Sequence, residues 1–120
     1  MPSAESSRGD PGDAARAGAV FAALADTTRR QVLALVGEHG PLSATELAAR
    51  LPISRQAVTK HLAVLRDAGL VDAEREGRDI RYRATPAPLT DAQRWLADAG
   101  NRWDRRLAAL QRRVAGRGGR

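Results

Sequence analysis

Apolar side chains recur at helical spacing through the first half of the chain, broken by turn and cap residues that mark where each helix starts and stops. Val20, Phe21 and Leu24 predict a first helix, α1, over about 13–25. Asp26 then reads as the N-cap of a second helix, α2, which turns Val32, Leu33, Leu35 and Val36 inward and ends at Gly37 and Gly40 ahead of Pro41. Ser43 with Glu46 three residues later has capping-box spacing and opens α3, with Ala44, Leu47, Ala48 and Leu51 on its apolar side. Pro52-Ile53 makes a tight turn. Ser54 caps α4, whose Val58, Leu62 and Leu65 form a narrow stripe closed by Ala68-Gly69. The period then switches from 3.6 to 2. Residues 70–75 and 80–84 predict two short strands around Glu76-Gly77-Arg78-Asp79, with Ile80, Tyr82 and Ala84 on one face and Arg81 and Arg83 on the other. Pro86 and Pro88 form a stiff link to a long helix, α5, over about 89–115. The expected fold is mainly α with a small β-hairpin wing: a winged helix-turn-helix in the order α1-α2-α3-α4-β-β-α5.

The last helix carries Ala92, Leu96, Ala99, Trp103, Leu107, Leu110 and Val114 in steps of 4, 3, 4, 4, 3 and 4. A helix of that length runs roughly 40 Å, while a domain of about 100 residues has a radius of gyration near 13 Å. One domain is too small to cover the stripe. The expected partner is a second copy, giving a homodimer through α1 and α5, with Phe21 and Leu24 joining Leu96, Ala99, Trp103, Leu107 and Leu110. The alternative is a helix laid along its own domain. Gly100 interrupts the stripe at its middle.

Composition narrows the field. The 120 residues are 42% hydrophobic and 28% charged with only 3% aromatic, which describes a single globular domain with an aliphatic core. Residues 13–115 are the expected DNA-binding and dimerisation domain. Residues 1–12 and 116–120 read as disordered ends. With no cysteine, disulfides, thiolate zinc sites, iron–sulfur clusters and thiol redox chemistry are excluded. The longest apolar run, Ala17 to Ala25, is far short of the roughly twenty residues that cross a bilayer. The N-terminus has no apolar core of a signal peptide, so a cytoplasmic protein without membrane contact is expected. No nucleophile, paired-carboxylate or phosphate-cradling motif suggests an enzyme, and no cofactor or metal is expected.

The formal charge of +6 comes wholly from the last twenty residues, since residues 1–100 balance 13 basic against 13 acidic side chains. Two local basic islands are more informative. With Val58, Leu62 and Leu65 buried, α4 presents Arg55, Gln56, Thr59, Lys60, Ala63 and Arg66 on the other side. In the major groove arginine can fork onto guanine, glutamine onto adenine, and threonine can meet a thymine methyl. Ser54 and the free N–H groups of the first turn suit a phosphate, and Lys60 and Arg66 suit the backbone. Arg78 at the hairpin tip, with Arg75 and Arg81 beside it, suits a minor groove or phosphates. His61 sits between the core and DNA faces and fits either a half-buried packing role or a phosphate contact. Trp95 and Trp103 share one side of α5, suited to packing or to a pocket between them. Three readings stay open: a sequence-reading regulator of double-stranded DNA, a winged-helix interaction module that does not read DNA, and a DNA-binding sensor of a small organic ligand at the α5 seam.

Five stretches resemble the ArsR family of winged-helix repressors across about residues 15–115. They are residues 21–30 from Phe21 to Arg30, residues 47–51, Ser54 to Leu62, Leu65 to Val71, and Arg75-Glu76-Gly77-Arg78 with Tyr82. The resemblance implies a homodimer that binds a palindromic operator and represses transcription. It also implies two places to look for metal. One family site places cysteines in the third helix, where this chain has Ala48 and Arg50; another uses histidine and carboxylates on the last helix, where it has Asp91, Asp98 and Asp104 but no histidine. The sequence is therefore most similar to the family's metal-independent branch, with an effector yet to be identified.

Overall fold

In the computed structural model, which describes residues 11–118, the chain forms α1 (Pro11–Leu24), α2 (Thr27–His39), β1 (Leu42–Ser43), α3 (Ala44–Ala48), α4 (Arg55–Asp67), β2 (Val71–Glu76), β3 (Asp79–Ala84) and α5 (Ala87–Gly118). The expected mainly helical winged helix-turn-helix is present. The disorder expected for residues 1–10 and 119–120 lies outside the described residues. Pro11 and Gly12 belong to α1, and 116–118 to α5. No helix among the described residues is long and apolar enough to cross a membrane.

Local chemistry explains most of the boundaries. The Asp26 carboxylate accepts the N–H of Arg29 at 3.0 Å and starts α2. The C-terminus of α1 is closed by the next helix. Arg29 donates to the carbonyls of Ala23 at 2.8 Å and Ala22 at 3.3 Å, and Arg30 donates to that of Leu24. These arginines satisfy helix-end carbonyls that would otherwise need water. Ser43 and Glu46 form the complete capping box expected of α3. That helix is shorter than its apolar pattern implied. It stops at Ala48, with Leu51 lying half-buried in the following turn.

The sheet has one strand more than the sequence pattern showed. β1 pairs antiparallel with β3, Leu42 opposite Tyr82 and Ser43 opposite Arg81, so the order is β1-β3-β2. In the hairpin, Glu76 faces Asp79 across a two-residue loop. Gly77 takes the first loop position at φ +64°, a left-handed value that glycine adopts without the clash a Cβ brings.

The core lies where α1, α2, α3, α4 and the base of the wing meet. Val32, Val36, Leu47, Val58, Leu62, Leu65 and Leu70 are its largest fully buried side chains. Ala17, Val20 and Ala23 of α1 and Ala92 of α5 complete it. Ala92 is the last wholly buried residue of this helix; Trp95, Asp98 and Ala99 are half-buried beyond it. The molecule measures 74 × 40 × 20 Å, with a radius of gyration of 20.2 Å. Phe21 and Leu24 are half-buried, Phe21 edge-on to Trp95 at 6.0 Å between centroids. Ala99 is half-buried, while Leu96, Trp103, Leu107, Leu110 and Val114 are 50–62% exposed.

Candidate nucleic-acid interface

The reading face is held by the core behind it. Val58, Leu62 and Leu65 have no exposed surface, which fixes the rotation of α4 about its own axis. Arg55, Gln56, Thr59, Lys60, Ala63 and Arg66 therefore point outward, as the sequence spacing predicts. Arg55, Gln56, Thr59 and Lys60 border one shallow surface depression. Ser54 is the N-cap, its hydroxyl oxygen accepting the Ala57 N–H at 3.1 Å. Thr59 donates its hydroxyl to the Arg55 carbonyl at 3.0 Å. What Thr59 leaves for a base edge is its methyl group and an oxygen lone pair.

Salt bridges divide the cations into two groups. The side chains of Arg55, Lys60 and Arg66 on α4, and of Arg75 and Arg78 on the wing, make no hydrogen bond or ion pair among the described residues. All five are exposed. Arg29, Arg81 and Arg83 are engaged. Arg81 donates to Glu46 at 2.9 Å and to the Pro41 carbonyl at 3.4 Å, and its Nε lies 3.7 Å from Glu76. Arg83 pairs with Glu74 at 2.8 Å. Sequence proximity places Arg81 with Arg75 and Arg78, but its guanidinium is tied to Glu46 of α3 and half-buried. It works as a brace between wing and helix-turn-helix. The signal for this was divided in the sequence: Glu46 was visible as a capping-box residue, but the β1–β3 pairing that brings Arg81 to it was not.

The Glu46 carboxyl is held below the ordinary glutamate value, chiefly by the Ser43 backbone N–H; burial opposes this, and the Arg81 charge adds to it. Asp26 is likewise lowered, chiefly by the Arg29 N–H, with burial opposing and the charges of Arg29 and His61 assisting. His61 is half-buried and close enough for its charge to act on Asp26. Of the two roles open to it, this placement favours joining α4 to the start of α2.

Ile80 stands opposite Arg75 on the face that carries Tyr82 and Ala84. Tyr82 and Ala84 pack on the core, whereas Ile80 lies past its edge, 44% exposed beside the free arginines of the wing. Among the described residues no group of three or more histidine, cysteine, aspartate or glutamate side chains is placed to hold a metal ion. At the end of α3 and in the turn after it, the positions compared with the family's cysteines, Ala48 and Arg50, offer no thiolate.

Comparison with known proteins fits this geometry. Residues 24–74 match a helix-turn-helix domain family. That span takes in α2, β1, α3, α4 and the first four residues of β2. The chain is similar to the HTH-type transcriptional regulator YuzN of Bacillus subtilis strain 168, 47% identical over 66 residues that cover 50% of this chain and 72% of that protein. It is similar to the transcriptional repressor SdpR of the same organism, 32% identical over 88 residues that cover 73% of this chain and 97% of SdpR. The solved structure of an ArsR-like transcriptional regulator from Rhodococcus sp. RHA1 superposes with a TM-score of 0.77 at 48% identity, covering 84% of this chain and 94% of that one.

Proposed function

The chain belongs to the ArsR family of winged-helix transcriptional regulators, and from that premise we propose that it acts as a homodimer that represses transcription by binding a palindromic operator. DNA binding and regulation come with the family. The dimer, the operator symmetry and the contacting residues are our reading. One observation carries it: the side chains of Arg55, Lys60 and Arg66 on α4 and of Arg75 and Arg78 on the wing are exposed and unpaired among the described residues, while Arg29, Arg81 and Arg83 beside them are tied to carboxylates or helix-end carbonyls. Arg55 and Gln56 enter the major groove and read bases, with Thr59 beside them. Ser54 and the first turn of α4 face a phosphate, and Lys60 and Arg66 hold the backbone. Arg75 and Arg78 reach the adjacent minor groove or its phosphates. Arg81 and His61 position these elements and are not contacts.

The dimer follows from the exposed stripe on α5. Leu96, Trp103, Leu107 and Leu110 are each half exposed or more along one stripe, the kind of contiguous apolar patch that marks a protein–protein contact. A second copy covers it, with Phe21, Leu24 and Ala99 at its margin. A two-fold dimer places two reading helices in successive major grooves, about 34 Å apart.

The test is a gel-shift titration on DNA from just upstream of the gene, against random competitor DNA at two salt concentrations, with sedimentation of the free protein alongside. Preferential, salt-sensitive binding by a dimer is expected. Equal affinity for random DNA, or none, would favour an interaction module that does not read sequence.

A further inference from the structure

A groove of about 540 Å³ opens where α1, the end of α4 and the first half of α5 come together. It lies away from the DNA-reading face and, apart from Ala92 on its floor, round the helix from the α5 stripe. At about 100° per residue, Asp91, Trp95 and Asp98 sit roughly 100–160° round the helix from Leu96. Its size falls within the range of small-molecule sites, roughly 300–1,000 Å³. The floor is apolar: Ala17, Val20 and Ala92 are buried there, and the Trp95 indole forms one side. The junction is tight at its base, where a Cβ on Gly69, at the end of α4, would stand 3.3 Å from Pro88 of α5.

The rim is unevenly charged. Four carboxylates line the groove against two arginines. Arg16 is paired with Asp13, and Arg94 lies 3.8 Å from Asp91. Asp67 and Asp98 make no hydrogen bond or ion pair among the described residues. A third source of negative potential is independent of the carboxylates. The C-terminal end of α4 finishes at the groove, and a helix C-terminus carries roughly half a negative charge. The fourth feature is the indole face of Trp95, which attracts cations.

We propose that this groove binds a small organic cation, an amine or amidine on a flat apolar body. The charged head lies between Asp67 and Asp98 at the end of α4, and the body rests on Trp95 over Ala17, Val20 and Ala92. An anion is repelled by the same rim, and a neutral molecule of the same shape gains only the apolar floor. The bound cation touches the two helices assigned to the dimer and the end of the helix assigned to DNA.

Calorimetric titration of the full chain in the absence of DNA tests this separately from operator binding. The probes are 2-phenylethylamine, its neutral counterpart 2-phenylethanol, and phenylacetate. The amine is expected to bind with a dissociation constant at or below about 1 mM, ordinary for nine non-hydrogen atoms. The alcohol and the acid are expected to bind at least about tenfold more weakly. An Asp67→Asn/Asp98→Asn double variant, with its helical circular dichroism intact, is expected to bind the amine no better than the alcohol. If that variant does not fold, Asp98→Asn alone is read by the ratio of amine to alcohol affinity, which falls. Equal binding of amine and alcohol overturns the proposal. So does an unchanged ratio in the variants, or no amine binding at all, the result expected if arginines of the protein itself already neutralise the rim. None of these outcomes bears on whether α4 reads DNA.

Discussion

Helices α4 and α5 carry the same kind of apolar stripe and meet opposite fates. Val58, Leu62 and Leu65 in α4 are wholly buried, while Leu96, Trp103, Leu107 and Leu110 in α5 are half exposed or more. Both stripes advance in steps of three and four. The difference is one of length and place. The α4 stripe spans two turns and is surrounded by α2, α3 and the base of β2. The α5 stripe continues for over four turns beyond Ala92, its last wholly buried residue. Periodicity shows which face of a helix leaves water; it does not show whether the same chain covers it. In α4 the stripe is a folding element that sets the angle of the reading face. In α5 it is the surface proposed above for assembly.

The sharpest way to break this comparison is to cut the same group from each stripe. Leu62→Ala removes a fully buried side chain and is expected to cost about 2–5 kcal/mol of folding stability, read by urea unfolding. Leu107→Ala is expected to change the unfolding of the isolated subunit far less and to raise the dimer dissociation constant, read by sedimentation at several concentrations. If both variants lost the same stability at every concentration, α5 would be packed on its own domain and the assembly reading would fail.

A charge in the middle of the α5 stripe gives the next effect. Trp103→Glu puts a carboxylate where the proposed dimer has its aromatic anchor, and Arg106, 5.6 Å over the ring, loses that contact. Anchors of this type are worth about 2 kcal/mol or more, so the dimer is expected to weaken at least about thirtyfold. Operator affinity falls with it while helical content stays. An unchanged gel shift would mean that each monomer binds DNA alone.

The two kinds of contact across the DNA face separate at a smaller scale. Arg55→Ala is expected to cost about 1–3 kcal/mol on the operator and much less on random DNA, since forked contact with a base edge discriminates sequence. Arg78→Ala is expected to weaken both DNAs alike and to reduce the salt slope by about 1. A reversed pattern would move the reading function from α4 to the wing.

What the sequence showed and what it hid follow the same division. Ser54, Val58, Leu62 and Leu65 are local: cap and stripe lie within one helix, and the outward face of α4 follows from them. Ser43 with Glu46 and the Gly77-Arg78 loop are local as well. The hidden features all join distant segments. β1 has only two residues, Leu42 and Ser43, too few for an alternating pattern, and it exists because Tyr82 and Arg81 lie opposite. α3 ends early because Leu51 reaches the core from a turn. Arg29 and Arg30, within a stretch shared with the family, look like surface charge until α1 is found ending beside them. Arg81 stood among the contact residues for the same reason, since its partner Glu46 is 35 positions away.

That brace gives the smallest effect and depends on pH. Glu46 is held below its ordinary value of 4.5 by the Ser43 N–H first and by Arg81 after it. The folded chain thus binds the Glu46 proton more weakly than the unfolded chain does. The resulting stability is present in full above the ordinary glutamate pKa and is lost as pH falls through the lowered one. Glu46→Gln keeps a group able to accept the Ser43 N–H and removes the charge. It is expected to melt slightly below the parent near neutral pH, and the gap is expected to close as pH falls below the ordinary glutamate value and the parent's own carboxylate protonates. Both sides of the brace can be read in that experiment. A gap that stayed constant with pH would show that Glu46 contributes shape and hydrogen bonding but no charge. The free wing arginines would then be separated from Arg81 by exposure alone, not by its partner on α3.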